Sequence, residues 1–295
     1  MINAPLIFGE VLFDCFENGA TVLGGAPFNV AWHLQAFACT PLFVSRVGDD
    51  ALGREIDTAM QQWGMTTAGL QQDLEHATGK VQVSIKDGQP SYDILTQRAF
   101  DYIQADVLPS CEPALVYHGS LGLRCPESAK ALAEILKANP EAPVFMDVNL
   151  RPPWWQVDQI RQCLDAATWV KINDDELETI VETEGDLQKK AALLMQSHNL
   201  ALVIVTLGEQ GAFALDESGS VFSVKPTKLS RVVDTVGAGD AFASVCILGL
   251  LNAWDMETTL SRAQDFASAL VEQQGATVHD RSFYQSFKMQ WHLPN

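Results

Sequence analysis

The sequence predicts an α/β protein built on a mostly parallel sheet with helices on both faces. Short apolar runs alternate with helical patterns along most of the 295 residues, which is typical of parallel strands connected by helices. The composition, 47% hydrophobic and 19% charged, is that of a globular chain. There is no internal repeat, low-complexity tract or linker rich in Pro, Gly or Ser. We therefore expect a single domain over residues 1–295.

The predicted strands are short and apolar, as expected for strands buried between two helical layers. They cover residues 6–9, 41–47, 114–117, 144–148, 169–172 and 201–206. The predicted helices carry apolar residues at helical spacing and cover residues 27–37, 51–63, 126–138, 174–182, 187–197 and 238–251. A late hairpin around Gly219, residues 212–216 with 221–224, is expected to extend one edge of the sheet.

Two segments break this alternation and predict a small β lid, made of residues 10–24 and 78–100. Within it, residues 81–86 and 90–95 are joined by Asp87-Gly88, a hairpin signal. Residues 10–23 alternate like a strand and lead into two glycines. Together they predict a small antiparallel sheet that covers a site on the main domain. An ordinary edge hairpin explains the same pattern equally well.

The charge and cysteine content exclude several classes of function. The formal net charge is −18, from 19 basic and 37 acidic side chains, so nucleic acids and anionic membranes should be repelled. No apolar run approaches the ~18 residues of a membrane-spanning helix, and the N-terminus lacks the basic start of a signal peptide. The six cysteines and six histidines show no metal-ligand spacing. We expect a cytoplasmic protein with reduced thiols and no structural zinc.

The most informative motif is the run DTVGAGDAF at residues 234–242. Its glycines allow a tight turn at the start of an apolar helix, where unpaired N–H groups and the helix dipole suit a phosphate. Asp240 follows the second glycine and opposes that anion-binding character. A carboxylate in this place is best used as a base for the group that attacks the phosphate, which indicates phosphoryl transfer. Alternatively, Gly-x-Gly marks only a helix start packed closely on a strand.

This run resembles the second signature of the ribokinase-like (PfkB) family of sugar kinases. The resemblance implies that Asp240 is the catalytic base and that Gly237, Ala238 and Gly239 stabilise charge on the transferred phosphoryl group. It also implies a ribokinase-like fold and the use of ATP and Mg²⁺.

Three further motifs follow in the order of the same family. Residues 9–14 (GEVLFD) resemble its first-strand motif, residues 24–31 (GGAPFNVA) its first signature, and residues 44–53 (VSRVGDDALG) the stretch that comes next. The resemblance therefore spans nearly the whole chain.

These motifs imply that the sugar is held by Asp14 and Asn29 together with the backbone of Gly24 and Gly25. The chemistry fits, because a carboxylate accepts two hydroxyl protons and an amide both donates and accepts. Taken alone, Asn29 could instead cap the first helix, and Asp14 could be a surface residue.

The middle of the chain adds candidate cations for the substrates. Residues 147–155 (DVNLRPPWW) resemble a stretch found in fructokinase-like members of the family. Arg151 within it is the best single cation for a phosphate, with a solvated surface arginine as the alternative. Arg98 on the lid is the other local cation.

Residues 171–176 (KINDDE) match the family's Asn-x-x-Glu element, which implies that Asn173 and Glu176 organise Mg²⁺ and phosphates through water. The same spacing is a capping box for the next helix, and both roles are compatible.

Two further loops resemble parts of the family's nucleotide and ion sites. Residues 206–211 (TLGEQG) match a turn beside the nucleotide, which assigns Thr206, Gly208 and Gly211 to ATP, although an ordinary β-turn would look the same. Residues 272–276 (EQQGA) resemble a loop that binds a monovalent cation such as K⁺ together with the start of the second signature. This places Asp234 and Gly275 at a cation site. A helix C-cap at Gly275 explains the second match almost as well.

The sequence contains neither a P-loop nor a dinucleotide fingerprint after the first strand. We therefore predict an ATP-dependent kinase that phosphorylates a primary hydroxyl of a free sugar, with fructose as the expected acceptor. The alternatives are a kinase of ribose, a nucleoside-like compound or a 2-keto-3-deoxy sugar acid, and a non-catalytic sugar-binding regulator of the same fold. A homodimer formed through the lid is the expected assembly.

Overall fold

The computed structural model describes residues 4–86, 89–226 and 231–294. The strands in this part of the chain are β1 (Leu6–Phe8), β2 (Leu12–Phe16), β3 (Thr21–Gly24), β4 (Leu42–Gly48), β5 (Leu70–Asp73), β6 (Gly79–Lys86), β7 (Gln89–Ile94), β8 (Val116–Gly119), β9 (Val144–Asp147), β10 (Trp169–Asn173), β11 (Leu202–Thr206), β12 (Ala212–Asp216) and β13 (Val221–Val224). The helices are α1 (Ala26–Ala36), α2 (Ala51–Trp63), α3 (Pro126–Ala138), α4 (Val157–Ala166), α5 (Asp174–Ile180), α6 (Leu187–His198), α7 (Ala238–Leu251), α8 (Met256–Val271) and α9 (Arg281–Trp291).

The main sheet has the order β13-β12-β11-β10-β9-β8-β1-β4-β5 in the described residues. All neighbours from β11 to β5 are parallel, whereas β12 and β13 form the antiparallel edge that the late hairpin predicted. The mostly parallel sheet is therefore confirmed. Its parallel strands all end at one edge, where the loops that follow β1, β9, β10 and β11 meet.

Helices cover both faces of the sheet because successive strand residues point to opposite sides. On one side Ile7 and Tyr117 pack against α1, α2, α7, α8 and α9 in a core rich in aromatic residues. On the other side, α4, α5 and α6 cover Val203 and Val205, while α3 covers Phe8. Helix α7 is apolar around its whole circumference, and most of it is fully buried.

The lid is a second sheet with the order β3-β2-β6-β7 in the described residues. Two details of the prediction are wrong. Residues 10–23 form two antiparallel strands with a turn at Gly19 (φ 84°), because a left-handed glycine reverses the chain there. The sheet is mixed and not antiparallel, since β2 pairs with β6 in parallel. The predicted Asp87-Gly88 turn lies outside the described residues.

Four elements have no counterpart in the sequence prediction, namely β5, α4, α8 and α9. The edge strand β5 reads LQQD and carries a single apolar residue. In α8 the buried face includes Thr259, Gln264 and Ser268, so its apolar period is diluted.

Within residues 4–86, 89–226 and 231–294, none of the helices combines the length and apolar character needed to cross a membrane. All six cysteines are free thiols.

Candidate active site

The glycine-rich turn lies at the start of α7 and has no room for side chains. Gly237 caps the helix with φ 80°, in the left-handed region that favours glycine. A Cβ at this position would lie 2.5 Å from Cα of Ala276, so the turn packs backbone to backbone against residues 272–276. The first N–H groups of the helix have no partners within it. This is the segment that the sequence predicts to bind an anion, and we call it the anion-binding turn; among its N–H groups, that of Ala238 lies 3.3 Å from the Thr235 carbonyl oxygen.

Asp240 lies in the first turn of α7 and accepts a hydrogen bond from the predicted sugar motif at residues 24–31, which we call the acceptor motif. The Nδ2 group of Asn29 donates to its Oδ2 at 2.7 Å. The residue is partly exposed, and desolvation by the neighbouring protein raises the pKa of Asp240 to about 7. Asn29 opposes the rise, and the negative charge of Asp147 adds to it. A carboxyl with this pKa is suited to accept a proton near neutrality.

Asn29 therefore does not cap α1. The helix begins at Ala26, and the buried Asn29 side chain lies within its first turn. Its Oδ1 has no hydrogen-bond partner in the described residues. A buried amide oxygen without a partner is costly unless a ligand or water bonds it, so this atom is available to a substrate hydroxyl.

A buried cation lies directly beside the anion-binding turn, and the motif analysis missed it. Nζ of Lys171, on β10, is 3.6 Å from the place that a Cβ on Gly239 would occupy. It donates to Asp147 at 2.7 Å, and the Tyr117 hydroxyl donates to the same carboxylate at 3.2 Å. Burial alone would lower the pKa of Lys171, but Asp147 raises it above its ordinary value. The amine is therefore protonated and positive.

Asn173 and Glu176 form the predicted capping box at the start of α5. The Asn173 side chain accepts from the Glu176 N–H at 2.7 Å, and Glu176 accepts from the Asn173 N–H at 3.1 Å. The other Glu176 oxygen accepts from the N–H of Leu150 at 2.9 Å. Burial raises the pKa of Glu176, with a smaller opposing effect from these hydrogen bonds. These hydrogen bonds hold the Glu176 carboxylate at the edge of the sheet. Carboxylate oxygens are among the ligands that Mg²⁺ prefers.

The two arginines predicted for the substrate have different surroundings. Burial raises the pKa of the Asp14 carboxyl on β2, and the Arg151 guanidinium counteracts this, so Arg151 and Asp14 lie near each other. Arg151 itself is exposed. Arg98 precedes a short 3-10 turn, and its backbone N–H donates to Asp101 at 3.0 Å. In the described part of the chain, no hydrogen bond or ion pair joins Arg98 to Asp14 or Asp240.

Arg124 is a second cation that the motif analysis missed. Its side chain donates to both oxygens of Asp101 at 2.8 and 2.9 Å, and its guanidinium lies 4.9 Å from the ring centres of Phe100 and Trp154. The charge of Arg124 also acts on the buried Glu10, whose pKa burial raises to about 7. Spacing in the sequence could not identify Lys171 or Arg124, because the acidic partners of both cations are distant in the chain.

The predicted nucleotide turn follows β11. Thr206 is the last residue of that strand and pairs with Asn173 in register, which brings the two candidate ATP segments side by side. Gly208 (φ 56°) begins a short 3-10 turn. Gly211 (φ 99°) lies against β13, where an added Cβ would be 2.0 Å from the Val224 carbonyl oxygen. The turn is therefore more constrained than an ordinary β-turn.

The predicted cation loop is joined to the signature by Asp234. Its carboxylate accepts from the N–H of Val236 and from the N–H of Gly275, each at 3.0 Å. Helix α8 ends at Val271, so Gly275 is not its C-cap and that alternative is wrong. The described residues contain no cluster of three or more His, Cys, Asp or Glu side chains able to hold a metal ion.

Comparison with known proteins agrees with this arrangement. Residues 16–281 match the pfkB family of carbohydrate kinases. A fructokinase from Vibrio alginolyticus is 30% identical over 267 residues, 82% of each chain. The fold is similar to that of a fructokinase from Xylella fastidiosa solved with bound ATP (TM-score 0.85, 22% identity, 99% and 100% of the two chains). It is also similar to that of aminoimidazole riboside kinase from Salmonella enterica (TM-score 0.80, 23% identity, 93% and 95%). The chain belongs to the pfkB family of carbohydrate kinases and has its ribokinase-like fold.

The buried pair beneath the turn generates a stability prediction. Lys171→Met should destabilise the protein by about 3–5 kcal/mol, because it leaves the Asp147 carboxylate buried without its cation. The double variant Asp147→Asn/Lys171→Met should recover most of that loss. Urea unfolding at neutral pH measures both.

The control is Lys130→Met, which removes a cation from the exposed Lys130–Glu134 pair. Exposed pairs contribute at most about 1 kcal/mol. If Lys171→Met costs no more than Lys130→Met, the pair does not have the assigned role.

Proposed function

We propose that this protein is an ATP-dependent kinase that phosphorylates a primary hydroxyl of a free sugar, with fructose as the preferred acceptor. The observation that carries the proposal is the hydrogen bond between Asn29 and Asp240. It brings a group from the predicted sugar motif to the predicted base at the anion-binding turn. A hydroxyl bound by Asn29 would lie next to the carboxylate that removes its proton.

In the proposed reaction, Asp240 accepts the proton of the sugar hydroxyl as its oxygen attacks the γ-phosphorus in line. The N–H groups at Gly237, Ala238 and Gly239 would stabilise the charge that develops on the phosphoryl oxygens. Lys171 adds a fixed positive charge beside the same turn. Closure of the lid would exclude water, which would otherwise compete with the sugar as acceptor.

Mg²⁺ fits the residues at this edge of the sheet. Each Glu176 oxygen is bonded to a backbone N–H and keeps a further lone pair, so the carboxylate can bind a water of the ion's shell. Asn173 lies beside it. A magnesium ion would neutralise and align the ATP phosphates. The carbonyls of residues 272–276, braced by Asp234, are the proposed site of a monovalent cation such as K⁺.

A neutral sugar is preferred over a sugar phosphate for reasons of charge. The buried cations near the site are already paired, Lys171 with Asp147 and Arg124 with Asp101. In the described residues this leaves Arg151, whose charge acts on Asp14, and Arg98 on the lid, and one of these two is needed for ATP. A second dianion such as a sugar phosphate would be undercompensated. The relative from Vibrio alginolyticus is named a fructokinase, while the riboside kinase neighbour keeps a nucleoside-like acceptor as the alternative. A non-catalytic regulator is disfavoured because the base and the glycine turn are intact.

We also propose a homodimer formed through the lid. The pairing register places Asp14, Phe16 and Val22 on the same face of the lid as Tyr92. The last three are exposed apolar side chains. Sedimentation velocity at micromolar concentration should give a dimer, and Tyr92→Lys should shift it to a monomer; a wild-type monomer contradicts the proposal.

The six free thiols support a cytoplasmic location, which cell fractionation tests.

Replacement of Asp240 tests the base. Asp240→Asn should keep the fold and lower kcat by about 10²–10⁴-fold, the usual share of a positioned base. In the wild type, kcat/KM should rise with pH through about 7, because only the ionised carboxylate accepts a proton and its pKa is raised to about 7. Coupled ADP-release assays measure the rate of the variant and the pH dependence of the wild type. They should cover about pH 5–9, a range that brackets the pKa. Asp255→Asn, at the exposed start of α8, is the control and should leave the rate unchanged.

Removal of ions tests the cation sites. Excess chelator should abolish activity, because the ATP phosphates meet few free cations in a chain of net charge −18. Added Mg²⁺ should restore it. Replacement of K⁺ by a bulky organic cation should lower the rate. Full activity in chelator contradicts the divalent site, and indifference to K⁺ contradicts only the monovalent site.

A substrate panel tests the acceptor. Fructose should be phosphorylated much faster than fructose 6-phosphate, ribosides or 2-keto-3-deoxygluconate. Asp14→Ala should raise KM steeply for the sugar and little for ATP, since we propose that Asp14 binds the sugar hydroxyls. Asp93→Ala is the matched control, because its register places it on the opposite face of the lid. A preference for the phosphorylated sugar contradicts the charge argument.

A further inference from the structure

Helix α1 contacts both sides of the anion-binding turn through two residues one helical turn apart. Asn29 bonds the Asp240 carboxylate at 2.7 Å. Nε2 of His33, four residues later on the same face, bonds the carbonyl oxygen of Ala276 at 3.1 Å. Ala276 is the residue whose Cα blocks any Cβ on Gly237. One helix face therefore holds the base and also the backbone that the turn packs against.

The protonation of His33 follows from its partners. The ring is completely buried, and this burial lowers its pKa to about 3, so it is neutral near pH 7. The Ala276 carbonyl can only accept, and Nε2 must therefore carry the proton. Nδ1 is then the acceptor for the Tyr284 hydroxyl on α9 at 3.0 Å, and the same hydroxyl lies 3.3 Å from the Val278 carbonyl oxygen. The imidazole is fixed at both nitrogens, between the turn and the C-terminal helix.

We propose that His33 is a positioning residue for phosphoryl transfer, which fixes the Ala276 backbone and through it the N–H groups of the Gly237 turn. This inference rests on the proposed function. The backbones of Ala276 and Gly237 are in close contact, so a shift of one displaces the other. Asp234 holds the neighbouring Gly275 N–H, and the His33 bond is the tie on the other side. A misplacement of about 1 Å in such a site can cost on the order of 10²-fold in rate.

A purely structural role is the competing explanation, and the chain offers a matched control for it. His33 packs edge-on against Phe266, with ring centres 5.1 Å apart. Phe37 lies one further turn along α1 and packs against the same Phe266 at 5.0 Å and against Tyr284 at 5.5 Å. Among the described residues, no hydrogen bond connects Phe37 to the turn. Phe37→Leu therefore perturbs the same core without removing the tie.

The experiment compares His33→Leu, His33→Gln and Phe37→Leu at a temperature well below every melting point. We expect His33→Leu to lower kcat at least about tenfold, with KM for the sugar nearly unchanged. His33→Gln should recover most of the rate, because its amide can donate to Ala276. Phe37→Leu should lower the melting temperature as much as His33→Leu and leave kcat within about twofold. Equal rate losses in the two leucine variants, or none in His33→Leu, would overturn the proposal.

A binding measurement separates this inference from the proposed function. Calorimetry gives the affinity for a non-hydrolysable β,γ-imido analogue of ATP relative to ADP, and the additional phosphate reports on the turn. This ratio should fall in His33→Leu and not in Phe37→Leu. If the wild type phosphorylates no sugar, the proposed function fails, and an unchanged ratio overturns the role of His33 while a reduced ratio supports it. If His33→Leu does not fold, Tyr284→Phe, which frees Nδ1, should show the same changes on a smaller scale.

Discussion

The hydrogen bond from Asn29 to Asp240 joins segments 211 residues apart, and the arrangement of the site depends on it. It fixes α1 against the start of α7, and so sets the distance between the acceptor motif and the anion-binding turn. It also moderates the basicity of Asp240. Burial raises the pKa of this carboxyl, and the Asn29 amide limits the rise by stabilising the charged form. Without that donor, the pKa of a buried carboxyl beside Asp147 and Glu10 would be higher, and a smaller fraction of it would be ionised near pH 7 and able to accept a proton.

Positive charge at the site is supplied locally, against a net charge of −18. Lys171 is buried under the turn with Asp147, and Arg124 is buried beside the lid with Asp101. Each cation brings its own carboxylate, so a partner is kept when the substrates are absent. The charges within each pair compensate each other, so neither buried cation offers uncompensated positive charge to an additional anion. The acceptor is therefore expected to be recognised through hydroxyl groups.

The sequence was sufficient to predict the layers of the fold and the turn at residues 234–240, because apolar runs and glycines are local signals. It was insufficient for the contacts that give the turn its properties. Lys171 lies within an apolar strand, and its partner Asp147 is 24 residues away. The Arg124–Asp101 pair is separated by 23 residues and has no motif. Helix α8 was missed because its buried face is partly polar. In each case the tertiary partner determines the role, and no local pattern contains it.

The floor of the site, by which we mean the turns at Gly237 and Gly211, and the lid are built under different structural constraints. At Gly237 and Gly211 an added Cβ would lie within 2.5 Å of another backbone, so the floor tolerates almost no change of shape. On the lid, Phe16, Val22 and Tyr92 are exposed side chains on the same face as Asp14 and meet no such limit. We expect phosphoryl transfer to depend on the rigid floor and the choice of sugar to depend on the less constrained lid. The fold alone does not determine the acceptor, since this chain shares it with a fructokinase and with a riboside kinase to which it is 22% and 23% identical.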